Sequence, residues 1–285
     1  MDSKTKLLEA LTSIIKKNFS EENLKWLFDK ATASQENNYQ LNITFTSIPR
    51  RTGKKEVHLE EEDEEKLRSL LPGFEMEGWT IDRSSRVWLL ASLDSANRKE
   101  YINRIENLFP QAEMNELVTL YSALPFLDYP NAWKLRCAEG IRSNIGGVLE
   151  AIMYHNPYPA NHLDEAAWNQ MVLKAFFTEK DVNKIVGLDE RANKNLANTL
   201  FDYAEERIAA VRSVNPQIWR LTGKFADEPH LYLFKRLLES ENEKEKMACG
   251  LALKESNLKE VNNLLDQYPD VKKLIKEKSI TWQTL

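Results

Sequence analysis

"YQLNITFTSIP", Tyr39 to Pro49, is the stretch whose reading decides the fold class of this 285-residue chain. It alternates polar and apolar over a β-branched run, with Leu41, Ile43 and Phe45 on one side, the two-residue period of a half-buried strand. Elsewhere apolar residues recur at helical spacing: Leu7, Leu8, Leu11, Ile14 and Ile15 near the start, then Val87, Leu89, Leu90 and Leu93 after a start near Asp82. The expectation is an all-α chain of stacked antiparallel helices, HEAT-like or an irregular helical solenoid or bundle. At most one short extended segment, near residues 39–48, interrupts it.

Prolines punctuate the helices in "LPGF" (71–74), "NLFPQ" (107–111), "LDYPNAW" (127–133), "NPYP" (156–159) and "QYPD" (267–270). Proline disfavours helix in the residue before it and cannot continue a helix interior. The intervals, roughly 20 to 40 residues, suit stacked helical pairs. Residues Glu243 to Pro269 have the look of a HEAT-type pair, although no motif recurs cleanly. A single domain over 1–285 is expected, with room for a subdivision near residues 125–130.

Hydrophobic residues make up 42% and charged residues 29%, as in ordinary globular proteins. A net charge of -5 argues against a polyanion binder, since nucleic-acid affinity rests on Lys and Arg neutralising phosphates. The tight basic run "PRRTGKK", Pro49 to Lys55, reads as a solvated loop. Charges scattered through the first residues read as an amphipathic helix rather than a secretory signal. No stretch approaches the roughly 18 to 20 apolar residues of a bilayer span. The expected setting is cytoplasmic, without nucleic acid and not integral to a membrane. Cys137 and Cys249, far apart and without a CxxC, read as buried reduced thiols. The acidic run "LEEEDEEKLRSLL", Leu59 to Leu71, reads as a helix start whose carboxylates favour the dipole rather than as a cation site.

Standard catalytic signatures are missing: no GxGxxG, no GxxxxGK[ST], no HExxH, no GxSxG. No catalytic residue, cofactor or metal is expected. Of His58, His155, His162 and His230, only His155 and His162 lie close, and with Glu165 they offer zinc-type ligands; but their spacing spans a proline loop, so the metal reading is set aside.

"NPYPANHLDEAAWNQMVLKAFF", residues 156–177, reads as a proline turn feeding a helix capped by Asn161 and running to Phe177. On one continuous helix His162, Glu165 and Asn169 fall within about 60° of one another, beside Val172, Leu173 and Phe176. Two explanations stand: a structural network, in which Asn169 bonds the turn backbone and Glu165 helps cap the helix, or polar groups lining a cavity. The preceding stretch, from Trp133 through the NPYP turn, reads as one helix holding Arg136, Glu139, Arg142 and Glu150 among apolar residues, with Gly146 and Gly147 inside it. Arg142 is either paired with Glu139 or free to meet an anion. Downstream, Asp189 reads as an N-cap, Arg191 as a surface or bridging residue, and Leu196, Leu200, Tyr203, Ala204 and Ile208 as one amphipathic helix. Trp168 and Trp219 read as core.

The segments NPYP, AWNQMVLKA and GLDERAN, with "VNPQIW", closely resemble the EboA family of metabolite-traffic proteins over about residues 140 to 220. "GWTIDRSSRVWLLASL", Gly78 to Leu93, looks like that family's first helical region, which extends the likeness over most of the chain. The resemblance implies a bacterial component encoded beside a prenyltransferase-like membrane protein and soluble enzymes, in clusters linked to moving secondary-metabolite precursors. It implies no established reaction. Asn156, Pro157, Tyr158, Pro159, Glu165, Trp168, Asn169, Gln170, Lys174, Asp189, Glu190 and Arg191 stand in the matching segments.

The expected function is a component of a metabolite-traffic system, without catalysis of its own, that binds a small organic metabolite or another protein of the same cluster at the inner membrane face. The expected ligand-binding residues are Arg142, Asn156, Tyr158, His162, Glu165, Trp168, Asn169, Lys174, Asp189 and Arg191. Asn169 and Glu165 would orient polar groups, Arg142 would meet an anion or carbonyl, and Tyr158 and Trp168 would supply the apolar wall. The rivals are a metabolite-modifying enzyme with Glu165 or His162 as acid or base, and a helical scaffold without a pocket.

Overall fold

A computed structural model describes residues 3–256, 259–277 and 280–285. Among them the backbone forms α-helices joined by 3-10 turns and loops, with no strand. Two compact units divide the chain: residues 1–168 with 184–186, and residues 169–183 with 187–285.

The first unit holds α1 (Ser3–Asn18), α2 (Glu21–Ser34), α3 (Asn38–Thr52), α4 (Glu61–Leu70), α5 (Ile81–Ala91), α6 (Arg98–Glu106), α7 (Met114–Ala123), α8 (Lys134–Arg142), α9 (Gly146–Met153) and α10 (Tyr158–His162). The division falls inside α11 (Glu165–Phe177), after Trp168. The second unit continues with α12 (Lys194–Ala209), α13 (Ile218–Thr222), α14 (Leu231–Leu238), α15 (Glu243–Glu255), α16 (Lys259–Asp266) and α17 (Pro269–Glu277).

The stretch expected to be extended, residues 39–48, is helical. The Asn37 side chain accepts from Gln40 N at 3.0 Å and caps α3, and Leu41, Thr44, Phe45 and Ile48 are buried at helical spacing. Ile43, grouped with Leu41 and Phe45 by the strand reading, faces outward and is 39% exposed. The sequence carries both periods. A cap together with a four-residue buried stripe outweighs the strand preference of the β-branched residues, because propensity is weaker than packing. The helix runs on through Pro49, Arg50, Arg51 and Thr52 to Gly53, so the first half of the basic run expected as loop is helix. Pro49 has no N–H for the carbonyl of Phe45 one turn back. Arg86 Nε supplies the missing donor at 2.7 Å.

At the centre of the first unit lies α5, buried at every position except Arg83 and packed against α1, α3 and α7. Its two serines are satisfied within the helix: Ser84 Oγ donates to Thr80 O at 3.0 Å and Ser85 Oγ to Ile81 O at 2.6 Å. The acidic run opens α4 as expected, with Glu60 and Asp63 closing a reciprocal capping box.

Two expectations of continuous helices are corrected. Residues 134–153 are not one helix: α8 ends at Arg142, where Ser143 turns extended, and Gly146 and Gly147 begin α9 rather than interrupting a helix. Residues 158–177 are likewise two helices. After α10 the chain extends at Leu163, and Asp164, not Asn161, caps α11 by accepting from Ala167 N at 2.8 Å.

In the second unit α12 packs on α13, α13 and α14 pack on α15, and α15 packs on α16 and α17. Trp219 and Cys249 are fully buried there, as Cys137 and Trp168 are in the first unit. α15 and α16 form the expected helical pair, of which residues 257–258 lie outside the described residues. Past α12, Val211 sits at φ +56° and is 94% exposed. The left-handed conformation costs a β-branched residue about 1–2 kcal/mol and a glycine almost nothing. Val211→Gly is therefore expected to stabilise the protein by about 0.5–1 kcal/mol, the gain being reduced by the freer unfolded chain. Thermal unfolding checks it; a lower melting temperature would show that the valine side chain contributes packing.

Candidate functional site

A cleft of about 380 Å³ opens in the first unit between α5, α7 and α9. Arg83 reaches it from the first turn of α5, Val118 from α7, and Gly147, Glu150 and Ala151 from α9. Its remaining wall comes from residues 75–79 and from Tyr154, His155 and Lys184.

These last segments are stitched together by backbone. Tyr154 forms an isolated antiparallel bridge with Ile185, His155 N donates to Lys184 O at 2.8 Å, and Glu75 N donates to His155 O at 3.3 Å. Held at both N–H and C=O, His155 adopts φ +49°, a conformation a residue with a side chain keeps only when its surroundings impose it. That geometry sets the imidazole between two carboxylates, Nδ1 3.4 Å from Glu75 and Nε2 3.3 Å from Glu77. Lys184 Nζ binds Glu77 at 2.6 Å and lies 5.5 Å from the centre of the Tyr154 ring. The hydrogen bond from Lys184, with the nearby His155, holds the Glu77 carboxyl below its ordinary range. Among the described residues no set of three His, Cys, Asp or Glu side chains is arranged to hold a metal ion.

Arg83 differs from these. Its guanidinium lies 4.3 Å from the centre of the Trp79 ring, and Nε donates to Ser122 Oγ at 2.9 Å. Burial pushes its pKa down to about 10, with Asp82 and Glu150 opposing the shift, so it stays protonated at neutral pH. Among the described residues no carboxylate reaches within 4.0 Å of it, and its terminal nitrogens donate to no protein acceptor. One turn along the same helix, Arg86 is fully engaged: Nε on Phe45 O, Nη1 3.4 Å from Asp82 and Nη2 3.1 Å from Glu116.

The residues expected from sequence to bind ligand are placed otherwise. Asn156 is buried and holds the proline turn: its amide donates to Ala151 O at 2.8 Å and Tyr121 O at 3.4 Å, and its Oδ1 accepts from Tyr158 N at 3.0 Å. Tyr158, also buried, donates its hydroxyl to Pro130 O at 2.6 Å and packs on the His162 ring at 4.8 Å. Burial and the neighbouring Lys134 pull the His162 pKa below its ordinary value. Arg142 and Glu165 are exposed. Glu139, the partner expected for Arg142, pairs with Arg136 at 2.7 Å. With α10 and α11 separate, His162, Glu165 and Asn169 do not share one helix face.

In the second unit Asn169 exchanges hydrogen bonds with Asn193 at 2.8 and 3.2 Å, not with the turn. Asn193, not Asp189, caps α12, accepting from Leu196 N at 2.9 Å. Asp189 is the bidentate partner of Arg220 at 2.6 and 2.5 Å, while Arg220 Nη1 donates to Asn183 at 2.9 Å. Trp168 is core; Lys174 and Arg191 are half-buried.

Arg83, Trp79, Tyr154, Glu77 and Lys184 were not singled out by sequence reasoning. One signal was present. In an otherwise apolar or small helix, Asp82 and Arg86 stand one turn apart and satisfy each other, which leaves Arg83 as the unmatched charge.

Residues 7–223, a span that includes the whole cleft, match a family model described as Metabolite traffic protein EboA. No curated protein and no solved structure matches the chain.

Proposed function

The chain belongs to the EboA family, and from that premise we propose that it takes part in metabolite traffic by holding a small organic molecule with an anionic group, unchanged, in the Arg83 cleft. The observation that carries this reading is Arg83 itself: a half-buried cation whose two terminal NH2 groups are unmatched among the described residues. A buried charge is retained at a cost unless something pairs with it. A guanidinium presents paired donors to a carboxylate or phosphate. The cleft also has the usual makeup of a small-molecule site, apolar walls from Trp79, Val118, Ala151 and Tyr154 with a few placed polar groups.

In this reading Asn156 and Tyr158 position rather than bind. They brace the turn that follows Tyr154 and His155. Arg142, His162, Glu165, Trp168, Asn169, Lys174, Asp189 and Arg191 take no part.

The test is isothermal titration calorimetry with 3-phenylpropanoate as probe, on the full chain and on Arg83→Met. Hydrogen bonds to a charged group contribute about 1.5–3 kcal/mol, so the variant is expected to bind about 10- to 100-fold more weakly while keeping its helical circular dichroism. Equal affinity in the two proteins, or no binding to the unmodified chain, would overturn the proposal.

A further inference from the structure

A second groove in the first unit, of about 650 Å³, lies between the start of α3 and α6 and shares no residue with the Arg83 cleft. The turn between α2 and α3 fixes its shape. Gln35 Nε2 donates to Ser92 O at 3.0 Å and Gln35 Oε1 accepts from Asp94 N at 2.9 Å. From α6 the buried Arg104 donates Nη1 to Gln35 O at 3.2 Å and Nη2 to Ser34 O.

Two helices begin at this groove, each capped by an asparagine: Asn37 Oδ1 accepts from Gln40 N at 3.0 Å and Asn97 Oδ1 from Glu100 N at 3.2 Å. The cap commits the oxygen of each amide, so each NH2 keeps two donors that meet no acceptor among the described residues. Asn38 and Asn103 add two further amides to the wall. Tyr39 stands among them, 71% exposed. Charge in the groove cancels: Lys99 and Arg104 stand against Glu36 and Glu100, and Glu100 in the first turn of α6 already answers that helix's positive end. The net field therefore favours neither an anion nor a cation.

Amide donors and acceptors beside one open aromatic face, without net charge, match a pyranose ring. Its hydroxyls exchange hydrogen bonds with amides and its C–H face packs on an aromatic ring. We infer that this groove binds a neutral sugar, seated with its C–H face on Tyr39 and its hydroxyls accepting from Asn37 and Asn97. The inference stands independently of the Arg83 cleft.

Proton–nitrogen correlation spectra of the full chain test it, with the methyl glycosides of D-glucose, D-galactose, D-mannose and N-acetyl-D-glucosamine as probes and inorganic phosphate as the charged rival. At least one glycoside is expected to shift the side-chain NH2 signals of Asn37 and Asn97, which are assigned by their loss in Asn37→Asp and Asn97→Asp. Aspartate caps a helix as well as asparagine but lacks the donor. These variants should therefore keep their melting temperature and bind about 3- to 10-fold more weakly. Tyr39→Ala should weaken binding about fivefold or more and Tyr39→Phe should not, because the ring face and not the hydroxyl meets the sugar. The inference is overturned if no glycoside shifts these signals, or if phosphate shifts them and the glycosides do not. Unchanged affinity in Tyr39→Ala, or in both aspartate variants, overturns it as well.

Discussion

Replacing Arg86 by methionine is expected to destabilise the protein by about 3–5 kcal/mol, the range for removing one partner of a buried ion pair. Methionine restores much of the side-chain volume, so the loss is electrostatic and not a cavity. Asp82 and Glu116 lie at 4% and 8% exposure, and without Arg86 their charges have no cation in contact. Asp82 suffers more, because its Oδ1 already lacks a hydrogen-bond partner. The Phe45 carbonyl, which Pro49 cannot serve, loses its donor as well. In urea unfolding followed by circular dichroism the midpoint should fall sharply, and Arg86→Met with Glu116→Gln should lose less than the two single changes added together. Glutamine can still serve the Glu113 capping box, so the double variant isolates the charge. An unchanged midpoint for Arg86→Met would show that the carboxylates reach water without it. Arg83→Met, three residues away, should leave the midpoint near its original value, because among the described residues Arg83 pairs with no carboxylate.

Gly223→Ala is expected to cost about 3 kcal/mol, at the upper end of overpacking penalties. Its backbone is not in a glycine-only conformation, with φ at −55°. Space decides instead: an added Cβ would lie 2.7 Å from Cα, Cβ and O of Ala252, where the turn after α13 packs on α15. Two of those atoms are backbone and cannot rotate away. The melting temperature should drop by several degrees, and Ala252→Gly, which removes only the Cβ, should recover a minor part of it. Full recovery would place the whole conflict in the Ala252 methyl, and no drop at all would mean the two segments separate at little cost.

The sequence by itself determined what depends on neighbours in the chain. The helical class, the acidic start of α4, the burial of Cys137, Cys249, Trp168 and Trp219, and family membership were legible, because caps, periodicity and motif words act over a few residues. Even locally the reading failed where two periods overlapped, as in residues 39–49, since only contact with the rest of the unit selects which face is buried. The breaks at Ser143–Ile145 and Leu163–Asp164 were hidden for a similar reason: nothing in those residues forbids a helix.

Side-chain partnerships belonged to the tertiary structure. Asp189 has the composition of a cap and is the partner of Arg220, 31 residues on. Asn156 and Tyr158 stand among the residues expected to bind ligand and close a turn. Arg83 and Arg86 are one residue type on one helix, and only the packing of α3 and α7 around α5 engages the second and leaves the first open to the cleft. Hydrogen bonds and ion pairs act over a few ångströms in space regardless of separation along the chain, so a residue's role is set by what the fold brings to it.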